Sequence, residues 1–147
     1  MERINFLDKI KEKRLMSEKI IASTSKTLDA TSISTALLPD AAILVPIQVN
    51  MLREISMVFD LDLSESFLKA LISSATTKDE TIMSKLVKRV APTITTIYNK
   101  KNKKVMTLTI GEVYIDALAT LFEANKGEPP TEEEIQKMFI LKLCLKK

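Results

Sequence analysis

The sequence predicts an all-α fold, a single-domain bundle of about five to seven helices, from three observations. Apolar residues recur at spacings of three and four along most of the chain, which is the period of a helix that buries one face. Only two glycines occur in 147 residues, too few for a fold rich in tight β-turns. Prolines and capping residues divide the chain into segments of helical length. An α+β alternative with a hairpin around residues 93–110 stays open, because strand-forming residue types are common there.

The composition excludes several classes of active site. The chain has no histidine and one cysteine, which excludes histidine-dependent triads, histidine-ligated zinc sites and a disulfide within the chain. Glycine-rich phosphate-binding motifs are excluded, because they need closely spaced glycines and the chain has glycine only at positions 111 and 127. The net charge of +3 permits acidic partners without demanding them. We therefore expect a non-enzymatic protein that needs neither cofactor nor metal and works by binding.

Residues 1–21 form the first predicted element, an amphipathic helix with charges of both signs on its outer face. Its apolar positions recur at a noisy helical period: Ile4, Leu7, Ile10, Leu15 and Ile20. Residues 23–35 are rich in serine and threonine, which suits either a flexible linker or a helix that another helix can approach closely. We favour the helix, because apolar residues continue to Leu37 and Leu38, where Pro39 ends it.

The next predicted helix organises the bundle. Asp40 is a good N-cap, and a wide apolar stripe follows it from residue 43 to residue 59. Pro46 either kinks this helix or marks its true first turn. Gln48 lies in the most apolar stretch of the chain, where an amide must find partners if it is buried. Together with Met51, an adaptable apolar side chain, these residues make up the predicted partner-binding surface: Asp40, Pro46, Gln48 and Met51.

Serine, threonine and acidic residues mark the starts of the remaining helices. The predicted caps are, in chain order, Asp62 or Ser64, the capping box of Thr77 and Glu80, and the capping box of Thr131 and Glu134. A helix through Gly111 is predicted to stop at residues 125–127. The final helix carries Cys144 in an apolar run, which predicts a buried and unreactive thiol.

A basic loop at residues 99–104 interrupts the apolar pattern. Its cations form the predicted anionic-surface site: Lys100, Lys101, Lys103 and Lys104. A solvated loop and a contact with anionic lipid are both compatible with this cluster. Nucleic acid is not expected as a partner, because the aromatic side chains that stack on bases are missing apart from Tyr98. The alternative function is therefore a peripheral membrane-associated protein that binds anionic lipid through the N-terminal helix and this loop.

No segment of the sequence predicts export or a membrane span. The N-terminus lacks the uninterrupted apolar core of a secretory signal. The most apolar window, residues 41–52, is far shorter than the roughly 20 residues that a span needs. We expect a cytoplasmic protein, with a peripheral contact at the inner membrane face as the alternative location.

Residues 38–64 resemble the DUF697 family, a helical module found C-terminal to bacterial Era-like GTPase domains and also as a freestanding protein. The matching features are a proline that enters the helix, then Gln48, Met51, Ile55 and Phe59, and an Asp-Leu-Ser restart. A second block at residues 109–115 is similar to the family's glycine-containing last helix. The basic residues 99–104 depart from the family, in which this connection is rich in small residues.

The resemblance implies a bacterial companion domain at residues 27–147, preceded by the helix at residues 1–21. The expected partner is therefore another protein, either a GTPase on which the domain acts in trans or a different protein. A second copy of this chain is the alternative partner. The family has no settled activity and no cofactor to carry over.

Overall fold

The structure of the protein, a computed structural model, describes residues 2–30, 41–76 and 103–145. These residues form five α-helices: α1 (Glu2–Ala30), α2 (Ala41–Val58), α3 (Glu65–Thr76), α4 (Lys103–Ala124) and α5 (Glu132–Leu145). The prediction of an all-α bundle is confirmed for this part of the chain. The hairpin alternative is wrong for residues 103–110, which lie in α4, while residues 93–102 are outside the described part.

The first helix continues through the serine- and threonine-rich residues as far as Ala30, so residues 23–30 are not a linker, while residues 31–35 lie outside the described part. Thr24 and Thr27 donate hydrogen bonds from their hydroxyls to backbone carbonyls one turn earlier, at 2.9 and 3.2 Å. The side-chain hydroxyls are thereby satisfied within the helix itself. Leu28 is fully buried and extends the buried face of α1 by a further turn. The apolar face therefore outweighs the weak helix propensity of the segment.

The second helix begins five residues before Pro46, so this proline does not mark its first turn. It ends in a Schellman motif, in which the Leu61 N–H donates to the Ser56 carbonyl at 2.9 Å and Asp60 takes a φ of 59°. The next helix is then capped by Ser64, whose Oγ accepts the Phe67 N–H at 3.2 Å. The prediction of a cap at Asp62 or Ser64 is confirmed, with serine as the capping residue.

The fourth helix stops where the sequence predicts. The Gly127 N–H donates to the Phe122 carbonyl at 2.7 Å, and Lys126 and Gly127 both take positive φ angles. The predicted capping box of α5 is also confirmed. The Thr131 N–H donates to Glu134 Oε1 at 2.9 Å, and the Glu134 N–H donates to Thr131 Oγ1 at 3.1 Å. The capping box predicted at Thr77 and Glu80 lies outside the described residues.

The core forms around α4, which packs against α1, α2 and α5, while α3 closes the bundle against α2 and α5. Its largest fully buried side chains include Tyr114, Phe59, Phe139, Leu28 and Met51. The closest approach is at Gly111, where an added Cβ would lie 2.9 Å from Met51 Sδ and 3.1 Å from Ile21 Cδ1. A glycine at this position therefore lets α1, α2 and α4 meet closely.

One helix among the described residues, Lys104–Ala124, is long and apolar enough to cross a membrane, with a mean hydropathy of 1.5. Within the bundle, however, 67% of its most apolar window is buried. The core helix of a globular domain has the same length and composition, so this helix is weak evidence for a membrane span.

Candidate functional site

An open cleft lies between α1 and α2 on the outside of the bundle. Its volume is about 360 Å³. The cleft is lined by Ser23, Thr24, Thr27, Pro46, Ile47, Asn50 and Glu54. Most of these side chains are polar or small. The two helices that carry them are antiparallel to each other.

The register of the two helices extends this cleft into a longer groove. Lys13 Nζ binds Asp60 Oδ2 at 2.9 Å, which places these two residues level with each other. Met16 follows Lys13 by three residues in α1. Met57 lies in the last turn of α2 and precedes Asp60 by three residues. Because the helices are antiparallel, these two methionines lie at the same level.

Both methionines are exposed to solvent. Met16 is 47% exposed and Met57 65% exposed. Met16 precedes Ser23 by seven residues, and Met57 follows Asn50 by seven, so each shares a helix face with a residue of the cleft. We call this surface the α1–α2 groove. Its residues are Met16, Ser23 and Thr27 of α1 and Pro46, Asn50, Glu54 and Met57 of α2.

The middle of the α1–α2 groove is polar. Asn50 Nδ2 donates a hydrogen bond to Glu54 Oε2 at 3.1 Å, and both residues are exposed. Glu54 supplies the carboxylate among the residues that line the cleft. The arrangement combines unbranched, adaptable apolar side chains at one end with a single acidic group in the middle. Such a surface suits the binding of another molecule.

The predicted partner-binding residues fall on opposite faces of α2. Pro46 is exposed and lines the cleft. Gln48 is buried and donates from Nε2 to Thr107 Oγ1 at 3.0 Å, and Met51 is fully buried. The prediction that Gln48 and Met51 form a binding surface is therefore wrong, because the helical period turns them toward α4. Asp40 lies outside the described residues.

The predicted anionic surface is also divided. Lys104 is half-buried, and its Nζ binds Asp29 Oδ1 at 2.8 Å, which ties the start of α4 to the end of α1. This lysine is thus already paired within the bundle. Lys103 is the first residue of α4, and Lys100 and Lys101 lie outside the described residues.

A charged cluster joins three helices at Asp116. Arg14 Nη2 lies 2.9 Å from one carboxylate oxygen of Asp116, and Lys142 Nζ lies 3.2 Å from the other. Burial by itself raises the pKa of Asp116, but the hydrogen bonds and charges of the two cations outweigh it and hold that pKa below its ordinary value. The cluster holds α1, α4 and α5 together.

A pair of buried hydroxyl groups also joins helices within the core, α2 to α4. Tyr114 Oη and Ser56 Oγ lie 2.6 Å apart, and Ser56 also donates to the Leu52 carbonyl at 2.7 Å. Burial raises the pKa of Tyr114 far above its ordinary value, so the phenol stays protonated. Among the described residues, no group of three or more histidine, cysteine, aspartate or glutamate side chains is placed to hold a metal ion.

Sequence reasoning missed the exposed methionines of the groove. The sequence does contain a pattern that indicates exposure, because each methionine shares a helix face with a polar residue seven positions away. Met16 shares its face with Ser23, and Met57 shares its face with Asn50. On the sequence alone, methionines are assigned to the core by default. The opposed position of these two residues depends on how α1 and α2 pair.

Comparison with known proteins adds no family to this geometry. No family model matches the chain, and neither a curated protein nor a solved structure matches it. The resemblance to the DUF697 family stays a prediction. The functional conclusion therefore depends on the contacts, exposure and charges of the described residues.

Proposed function

We propose that this protein is a non-enzymatic helical interaction module that binds an amphipathic helix of a partner protein in the α1–α2 groove. The observation that carries the proposal is the pair of exposed methionines, Met16 and Met57, which the register of α1 and α2 places at one end of the open cleft. Methionine-bearing surfaces repack around different partner helices, because the side chain is unbranched and flexible.

The dimensions of the groove support a helical ligand. From the level of Lys13 and Asp60 to the level of Thr27 and Pro46, the walls span fourteen residues of α1, about 20 Å at the helical rise. A ligand helix of about four turns fits this length. Its apolar face would present residues at spacings of three and four to the groove.

The charge in the groove specifies the ligand further. Glu54 is exposed in the cleft, and Asn50 leaves part of its carboxylate open to other donors. A lysine or arginine near the middle of the ligand helix would pair with Glu54, while apolar residues toward one end would contact Met16 and Met57. The proposed partner therefore presents a helix that is both apolar and basic.

The resemblance to the DUF697 family adds a partner class to the proposal. The resemblance implies that the ligand helix belongs to a GTPase on which this chain acts in trans. Gly111 belongs to the second block of the resemblance, residues 109–115, and faces the core on the same side of α4 as Thr107. This block would therefore support the fold and not the binding surface.

The test is an affinity pull-down of the tagged protein from its own host's lysate at moderate salt, read by mass spectrometry. The variants are Met16→Glu and Met57→Glu, and Leu15→Glu is the matched control. Leu15 is the neighbour of Met16 on α1 and is 67% exposed, but it lies about 100° further around the helix. A stoichiometric partner that is lost with both methionine variants and kept by the control supports the proposal.

Two outcomes contradict the proposed binding surface. A partner retained by Met16→Glu and Met57→Glu binds elsewhere, and a partner lost equally with Leu15→Glu contacts a face of α1 outside the groove. A photo-crosslinking residue in place of Asn50 gives an independent check. It should attach to a helical segment of the same partner.

A further inference from the structure

The last helix carries a second apolar face that points away from the core. Leu141 is 50% exposed and Leu145 is 58% exposed, and they lie one turn apart on one face of α5. Met138, half-buried, continues this stripe toward the start of the helix. The opposite face is buried, with Ile135, Phe139, Ile140, Leu143 and Cys144. The α5 stripe is defined as Met138, Leu141 and Leu145.

Charge is distributed unevenly along the same helix. The first turn of α5 is acidic, with Glu132, Glu133 and Glu134, and the last turn carries Lys142, which forms with Arg14 and Asp116 a cluster of net positive charge. Two such helices side by side in parallel would place the acidic turns against each other. An antiparallel pair would place the acidic turn of each helix beside the basic turn of the other, and the helix dipoles would also be opposed favourably.

We propose that the α5 stripe pairs with the α5 stripe of a second copy of this chain, in an antiparallel arrangement about a two-fold axis. A two-fold axis perpendicular to a helix makes the pair antiparallel and forms each charge contact twice. A lipid surface fits the stripe less well, because the acidic first turn would face anionic headgroups.

The expected dimer is weak and reversible. A helix of fourteen residues is about 21 Å long, so one helix pair buries less than the roughly 800 Å² per partner of a standard interface. None of the residues lining the α1–α2 groove comes from α5. Failure of the dimer and failure of partner binding are therefore distinguishable.

Sedimentation velocity from micromolar to near-millimolar concentration tests the proposal. The wild-type chain should show a concentration-dependent shift from monomer to dimer. Leu141→Gln/Leu145→Gln should weaken the dimer at least tenfold and leave the helical circular dichroism spectrum unchanged. Leu15→Gln, an equally exposed leucine on α1, should sediment as the wild type. A wild-type chain that stays monomeric throughout, or a double variant that dimerises normally, overturns the proposal.

The orientation of the pair has its own test. Glu132→Gln/Glu133→Gln removes acidic charge from the first turn and leaves Glu134 to cap the helix. An antiparallel dimer should dissociate more readily in this variant, and the wild-type dimer should weaken as salt is added. A parallel dimer would instead be strengthened by the same variant. That result would rule out the antiparallel arrangement.

Discussion

Gln48 and Thr107 share a hydrogen bond of 3.0 Å inside the core, from Nε2 of the amide to Oγ1 of the hydroxyl. It joins α2 to α4 at a place where both side chains are shielded from water. The bond explains why an amide is tolerated in the most apolar stretch of the chain. Buried polar groups of this kind cost little when paired and much when one partner is removed.

Thr107→Val should lower the free energy of unfolding by about 1–3 kcal/mol, because it leaves the Gln48 amide buried without its acceptor. Urea denaturation followed by circular dichroism measures this change. The double variant Gln48→Met/Thr107→Val should recover part of the loss, since both polar partners are then gone. A single variant as stable as the wild type would mean that the amide has another partner in solution.

Gly111→Ala should destabilise the bundle by about 1–3 kcal/mol, although alanine is the better helix former. The added Cβ would lie 2.9 Å from Met51 Sδ and 3.1 Å from Ile21 Cδ1, so these two buried side chains would have to shift within the packed core. Thermal or urea unfolding gives the measurement. A gain in stability would show that the three helices have room to move and that helix propensity decides.

Ser17→Ala should raise the free energy of unfolding by about 0.5–2 kcal/mol. Ser17 is fully buried on α1, and its Oγ has no hydrogen-bond partner among the described residues. Alanine removes this unsatisfied hydroxyl and has the higher helix propensity. The same unfolding assay checks it, with Ser73→Ala, an exposed serine of α3, as the control for propensity alone. A lower stability would indicate that the hydroxyl binds something in solution.

The Asp116 cluster should make stability fall in acid. The pKa of Asp116 is lower in the folded chain than its ordinary value of 3.8, so the unfolded chain binds more protons at acidic pH. The contribution is fully present above pH 3.8 and is lost as the pH falls through the folded-state pKa. Because the carboxylate is 43% exposed, it amounts to less than about 1 kcal/mol.

Unfolding measured from pH 6 to pH 2 should show this loss in the wild-type chain and less of it in Asp116→Asn. Arg14→Met should raise the pKa of Asp116 and move the loss to higher pH, as seen by carboxyl chemical shifts. Identical acid profiles for the wild type and Asp116→Asn would assign the acid sensitivity to other carboxylates.

Cys144 should react slowly with thiol reagents in the folded protein and quickly after unfolding. Its side chain is buried in α5, and burial raises the pKa of the thiol, so little thiolate forms at neutral pH. The rate of colour development with a disulfide reagent measures this, with and without urea. Fast labelling of the native chain would show that α5 detaches readily from the bundle.

Signals carried by neighbouring residues could be predicted from the sequence. The cap at Ser64, the capping box of Thr131 and Glu134 and the stop at Gly127 all depend on hydrogen bonds between residues three to five positions apart. Such bonds form whatever the rest of the fold does. The all-α class followed from the apolar period in the same way.

The sequence by itself therefore determined the helical class, the helix ends at Ser64, Gly127 and Thr131, and the absence of histidine chemistry. Only the tertiary structure decided which face of each helix is free. Gln48 and Met51 belong to the core because Thr107 and Gly111 of a distant helix receive them, whereas Met16 and Met57 stay exposed on α1 and α2. These contacts join residues far apart in the chain, and a local pattern holds no information on which partner a helix face will meet.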